Sequence, residues 1–263
     1  MNFTKAQINK YIQGIFAGIF TGLNPSEELF IATAEYLDEG LFEGMGISLF
    51  NMGKNDPDLN LARELRNNVH VFSAFKSHHS AVDIGRLIFD DKGGKRAFAN
   101  FEKDALKYFD VAHNRHLKTE FRTSVANARA AKQWQSVVQN SDIYPFLEYQ
   151  SAGDERVRDD HKEYDGIKAR FDNKIWSKIY PPNGFNCRCD VVQASGFNRS
   201  FKETPKSDLN KIPDPPKLFQ MNAGVDKVIF KPDHPAFTVE QKYKVKAKTA
   251  FDLPLLFGPH DGI

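Results

Sequence analysis

The chain is poor in cysteine and tryptophan, with two of each among 263 residues, and it has no long uninterrupted apolar run. Two cysteines one residue apart exclude the disulfide framework of a small secreted domain and suit a reduced thiol pair or two metal ligands. The apolar run around Ile15 to Phe20 is interrupted by Gly14, Gly18 and Gly22 and is too short to span a bilayer, so no transmembrane segment is expected. No signal peptide is evident either. Net charge is nearly absent too, at +2, which removes a global field that would steer the chain onto nucleic acid.

What is present describes a folded protein: 41% hydrophobic and 27% charged residues, with 23 Phe against 8 Tyr. From residue 3 to 50 the apolar positions Ile8, Ile12, Ile15, Ile19 and then Leu29, Ala32, Tyr36, Leu37 recur at helical spacing. The segment Asn24-Pro25-Ser26-Glu27-Glu28 between them supplies a helix start, so two helices are expected. Residues 51–61 read as a loop, with a third helix beginning near Asp58 and running through Leu61, Leu65, Val69 and Phe72. The adjacent His78 and His79 point about 100° apart on a helix and are expected to be solvated or hydrogen-bonded rather than to share a metal.

Asp90-Asp91-Lys92-Gly93-Gly94-Lys95 reads as a turn, and without a Gly-x-x-x-x-Gly-Lys-Ser/Thr pattern it predicts no nucleotide site. Residues 110–136 carry the strongest helical pattern, with Leu117, Phe121, Val125, Ala128 and Ala131 on one face and Lys118, Arg122, Arg129 and Lys132 opposite. Tyr144 to Tyr149 then has the aromatic and proline content of a strand entering a loop. The expected fold is α+β: a helical region over 1–140, followed by a smaller, mixed, turn-rich domain with short strands over 141–263.

The tail is basic and rich in proline, with eleven Lys or Arg against six Asp or Glu over residues 198–248. Residues 241–248, QKYKVKAK, alternate strictly and predict a strand with Tyr243, Val245 and Ala247 on one face. Lys242, Lys244, Lys246 and Lys248 would line the other, either to protect a sheet edge or to touch DNA or an acidic partner.

The densest chemistry lies in residues 154–190, which hold both cysteines, Trp176, a run of Asp, Arg and His, and the turn Pro181-Pro182-Asn183-Gly184. Cys187 and Cys189 can reach one metal ion, whereas a disulfide closing so small a ring is strained. A structural zinc would need two further ligands, and His161 with Asp154 or Asp190 are the nearest in sequence; two reduced, packed thiols are the alternative. Asp154, Arg156, Arg158 and His161 form Asp-x-Arg-x-Arg-x-x-His, in which each arginine can clamp a carboxylate, and an internal lattice with Asp165 is expected. An active site is the alternative, with His161 as base and an arginine holding an anion, but no nucleophile or carboxylate pair stands at a diagnostic spacing. Trp176 reads as a packing lid. Gly184 permits positive φ in a turn whose backbone the prolines restrict.

Taken together, LEYQSAGDERVRDDHKEYDGI and the following W-x-x-x-Y-PPNGFNCRC resemble the pattern of the phage Mu F-like minor head proteins, also called head morphogenesis proteins. The matching residues are Asp154, Arg156, Arg158, His161, the turn at Gly166, Trp176, and the closing Pro181, Pro182, Gly184, Cys187, Arg188 and Cys189. The helix LKTEFRTSVANARAAKQW extends the likeness to about residues 117–192, and FQMNAGVDKVIFKPDHPAF resembles a tail of some members. The resemblance implies a non-enzymatic minor capsid component of a tailed phage or prophage, placed near the portal vertex and present in several copies per virion. It implies portal and capsid proteins as partners, packaged double-stranded DNA as a candidate contact, no membrane, and a location in the virion or, during assembly, the host cytoplasm. The alternative is an enzyme acting on nucleic acid or a nucleotide-like anion, with His161, Arg156 and Arg158 in the pocket.

Overall fold

In the computed structural model, which describes residues 3–47, 58–197 and 201–251, the chain is α+β, with long helices first and a small antiparallel sheet after them. Helix α1 (Lys5–Phe16) starts at a capping box: Thr4 Oγ1 accepts the Gln7 N–H at 3.2 Å and Gln7 Oε1 accepts the Thr4 N–H at 2.9 Å. It ends before Gly18, whose φ of +75° breaks the helical run. Ile12 and Ile15 are therefore buried, while Ile19, expected on the same stripe, lies past the helix end and is 61% exposed. Helix α2 (Glu27–Met45) begins at the expected place, with Ser26 Oγ accepting the Leu29 N–H and two acids in the first turn.

Helix α3 (Asp58–Arg86) starts where the third helix is expected and runs on through the histidine pair. The loop expected before it lies almost wholly outside the described residues. His78 Nδ1 is 2.6 Å from the Gly22 carbonyl and His79 Nε2 is 3.1 Å from that of Ala236, so both rings are used in hydrogen bonds. In the turn at 90–95, Asp90 Oδ1 accepts the N–H groups of Lys92 and Gly94, and Gly93 takes a φ of +78°. Helix α4 (Phe98–Phe109), a π-helical segment (Asp110–His116) and α5 (Leu117–Gln139) follow.

The chain divides into two compact units, one drawn from Met1–Glu39, Arg66–Phe121 and His234–Ile263, the other from Gly40–Leu65 and Arg122–Asp233. The first has an aromatic core that includes Tyr11, Phe101 and Phe109, and a second cluster built on Phe30, Phe75 and Tyr243. The second unit contains the sheet, whose strands β1 (Phe146–Gln150), β2 (Lys168–Arg170) and β3 (Asp190–Ala194) lie in the order β2-β1-β3 with both pairings antiparallel. The registers place Leu147 opposite Ala169 and Tyr149 opposite Val191. Leu147, Tyr149, Ala169 and Val191 are buried, pointing into one core with Tyr164, Ile179 and Tyr180.

The lysine-rich segment at 241–248 corrects the sequence reading, because it is helix α8 (Gln241–Ala250) rather than a strand. Tyr243 and Ala247, four residues apart, are buried, while Val245, which alternation would place beside them, is 61% exposed. The Tyr243 hydroxyl donates to the Ala74 carbonyl at 2.9 Å and its ring stacks on His78 at 4.0 Å. Lys, Gln and Ala are good helix formers, so local preference and this anchor decide between two periods that a short segment satisfies equally. The lysines thus do not line one face as they would on a strand: Lys242 and Lys246 project to one side and Lys244 to another. Among the described residues no helix is long and apolar enough to cross a membrane.

Candidate functional site

Strand β1 and the two turns that follow it position the site. Gly166 takes a φ of +74° and donates its N–H to the Tyr149 carbonyl at 2.9 Å, which folds the chain back onto β1 as β2. Between them, Arg158 in extended conformation caps the short helix α6 (Asp159–Lys162), whose buried His161 faces inward. Helix α7 (Trp176–Ile179) then leads into the Pro181-Pro182 turn, in which the bond between the prolines is cis. Asn186, at φ +57°, completes the reversal, and the Cys187 N–H closes it on the Gly184 carbonyl at 3.1 Å. This turn carries the Cys187-Arg188-Cys189 segment alongside α6.

As a result, His161 Nδ1 lies 3.6 Å from the sulfur of Cys187 and 3.6 Å from that of Cys189. The three ligand atoms are within 4.8 Å of one another, His161 is buried and both thiols are half-buried and free of disulfide. The two thiols are coupled: their mutual contact is the first cause that pushes Cys187 up and Cys189 down, and burial raises both. Tyr149, whose phenol is raised chiefly by burial, stands behind the pair. Its hydroxyl donates to Asn183 Oδ1 at 2.7 Å in a buried position.

Neither Asp154 nor Asp190, the carboxylates nearest in sequence, joins this group. Asp154 is gripped by both terminal nitrogens of Arg188, at 2.5 and 2.7 Å, which holds its carboxyl well below the usual carboxylate range. Asp190 accepts from Gln133 Nε2 at 2.9 Å. Arg156 reaches Asp154 only at 3.5 Å and is 80% exposed. Arg158 donates to the Phe185 carbonyl at 2.6 Å, and Asp165 accepts the Ser151 N–H at 2.6 Å. The structure thus has an Asp154–Arg188 clamp where the sequence suggests a lattice of neighbours, because the turn at 181–187 delivers an arginine from far along the chain. A Cβ on Gly184 would stand 2.8 Å from Arg158 Nη1, so that arginine lies flat against the turn.

Trp176 is not a lid. It is 1% exposed, at the centre of the core, with its indole N–H donating to the Arg170 carbonyl at 2.8 Å. Arg156, Arg158 and His161 do line one open cleft of about 230 Å³, and the two sulfurs also face a second, of about 460 Å³, beside Arg129 and Gln133. Tyr149, Asn183 and Gln133 escaped the sequence reading. Asn183 was visible only as a turn residue, and nothing in the helical pattern distinguishes Gln133, which also accepts from the Tyr180 hydroxyl at 3.2 Å.

Comparison with known proteins gives this geometry a context. Residues 92–192 match the family model described as Phage Mu protein F like protein, ending where the sequence resemblance ends and beginning earlier. The chain is 31% identical over 141 residues to protein F of Escherichia phage Mu, whose name assigns it to capsid assembly; the match spans 49% of this chain and 32% of that relative. It is 35% identical over 83 residues to the Mu-like prophage FluMu F protein of Haemophilus influenzae, spanning 32% of this chain and 20% of that relative. The matches therefore span about a third or less of the relatives' length. No solved structure matches the chain.

Proposed function

We propose, from the premise that residues 92–192 are a Mu F-like region, that this protein acts in phage head assembly as a minor structural component near the portal vertex. The observation that carries the reading is the coincidence of two extents. The family match runs through the whole of the site built by residues 154–190 and stops inside β3. That region is a tightly turned polar surface on an aromatic core, suited to holding a shape against a neighbouring subunit. The name of the phage Mu relative supplies the assembly role.

On this reading the helical region over 1–140 docks onto portal or capsid subunits, while the region over 141–263 presents the turn surface and the basic tail. The lysines of α8 are candidate contacts for packaged double-stranded DNA, as scattered charges rather than one row. Several copies enter each head. The test is a phage or prophage producing heads with this chain deleted or affinity-tagged. Loss of DNA-filled heads on deletion, with co-purification of portal protein by the tagged chain, is the expected result; normal head yield without the chain would overturn it.

The clustering of Arg156, Arg158 and His161 on one cleft favours a second reading, an enzyme acting on a nucleotide-like anion. Arg158→Ala separates the two. Incorporation into heads retained with an activity on nucleic acid abolished is the enzymatic outcome; no activity in the unaltered protein leaves assembly.

A further inference from the structure

We propose that His161, Cys187 and Cys189 form a zinc-binding centre, with Nδ1 and the two Sγ atoms as ligands and a fourth position open to the clefts that the sulfurs face. The argument is first one of distances. A tetrahedral zinc with bonds of about 2.3 Å to sulfur and about 2.0–2.1 Å to nitrogen sets each sulfur roughly 3.5–3.6 Å from the ring nitrogen. Both sulfurs lie at 3.6 Å from Nδ1.

Hydrogen bonding alone accounts for this arrangement poorly. A ring nitrogen carries either one lone pair or one proton, so it pairs well with a single sulfur, yet two sulfurs stand equidistant from this one. One cation at the common centre satisfies all three atoms. The donor set, two thiolates and an imidazole with no carboxylate, selects a soft or borderline metal over calcium or magnesium, and tetrahedral sulfur–nitrogen coordination is the habit of zinc. Two thiolate charges also balance a divalent ion without help from Asp154 or Asp190, both of which are engaged elsewhere.

The ligands are held in place by structure around them. Cys187 and Cys189 sit on a turn restricted by its prolines, buried Tyr149 stands behind them with its hydroxyl donating to Asn183, and the His161 ring lies 6.0 Å from that of Tyr164 with planes 27° apart. The sulfurs border clefts of about 460 and 230 Å³, so a water, or a side chain from a docked subunit, can reach the fourth position. This inference does not rest on the head-assembly reading.

The test uses the unaltered full chain, purified without chelator and assayed for zinc by mass spectrometry. A thiol-modifying reagent is then titrated in while a chromophoric chelator reports zinc release. Because Cys187 and Cys189 are the only cysteines, modification is a direct readout of the centre. The expected result is about one zinc per chain, falling to under about a tenth as both thiols are modified. Folded protein that holds no zinc and takes up none when zinc is added, or zinc that stays bound after both thiols are modified, would overturn the proposal. Either outcome is independent of whether the chain enters heads.

Discussion

His113 and His161, one in each unit, are the most deeply buried histidines among the described residues, and the two rings have little else in common. His113, in the first unit, lies in the π-helical segment, 3% exposed, stacked on Phe109 at 4.3 Å with its Nε2 3.1 Å from Ser80 Oγ. Burial, and then the charge of Lys76, push it down to about 3, so it is a neutral, packed ring. His161, in the second unit, is 2% exposed but turns its Nδ1 toward two sulfurs. Burial alone therefore does not make a histidine a site; the atoms that converge on the ring do. The contrast also shows what frames each ring: apolar aromatics in both, with exposed charges only decorating the second.

The largest effect should come from breaking the frame around His161. Trp176→Ala removes a ring that is 1% exposed and is expected to cost about 3–5 kcal/mol, read from denaturant unfolding. The matched change in the first unit, Phe101→Ala, falls in the same range. A loss below about 1 kcal/mol for Trp176→Ala would mean that charges, not the aromatic core, hold the second unit together.

The first unit should be the more acid-sensitive of the two. A histidine whose folded pKa is depressed stabilises nothing by charging; stability is full above its unfolded value of 6.5 and is lost as pH falls toward the folded value. His113, at about 3, and His234, at about 4, both act in that window. Each contributes a slope of up to ~1.4 kcal/mol per pH unit. His113→Gln, which can still hydrogen-bond Ser80, should flatten the decline between about pH 6 and 4, measured as the unfolding midpoint against pH. An unchanged slope would remove His113 from the account. Smaller again, Tyr243→Phe deletes the buried hydrogen bond to Ala74 and should cost about 1 kcal/mol while leaving the helix at 241–250 in place.

Much of the helical architecture was legible because periodicity and capping residues agree: α1, α2 and α3 lie where apolar spacing puts them, the Asp90 turn where its glycines do, and α5 takes up the pattern expected from residue 110 after a π-helical start. Reading failed where a short segment satisfies two periods, as at α8, or where a glycine ends a stripe early, as before Ile19. At the site, the convergence of His161 with Cys187 and Cys189 was legible from composition, since only two cysteines exist and that histidine is near in sequence. The partner of Asp154 was not. A carboxylate next to two arginines in sequence reads as theirs, and only the turn at 181–187 reveals that Arg188 takes it. Nor was the depth of Trp176 legible, because polar neighbours in sequence hide how many apolar residues the same stretch sends inward.

That hidden apolar contribution changes what the charges of this stretch are expected to do. Arg156 and Arg188 are 80% and 44% exposed and Asp154 is 38% exposed, so their pairing takes place largely in water, where an ion pair gains little over its solvated partners. Arg156→Ala and Arg188→Ala should both leave the unfolding midpoint near neutral pH unmoved, the smallest effect in the series. The Arg188 change should still be visible locally: the Asp154 carboxyl, held down chiefly by its hydrogen bonds from Arg188, should return toward its ordinary value of 3.8 in carboxyl-detected NMR titration. Whatever stability the depressed carboxyl lends is present above that ordinary value and lost below it, so the two proteins should differ least in strong acid. An Arg188→Ala protein that unfolds at neutral pH would make the clamp, rather than the aromatic core, the support of the turn that carries both cysteines.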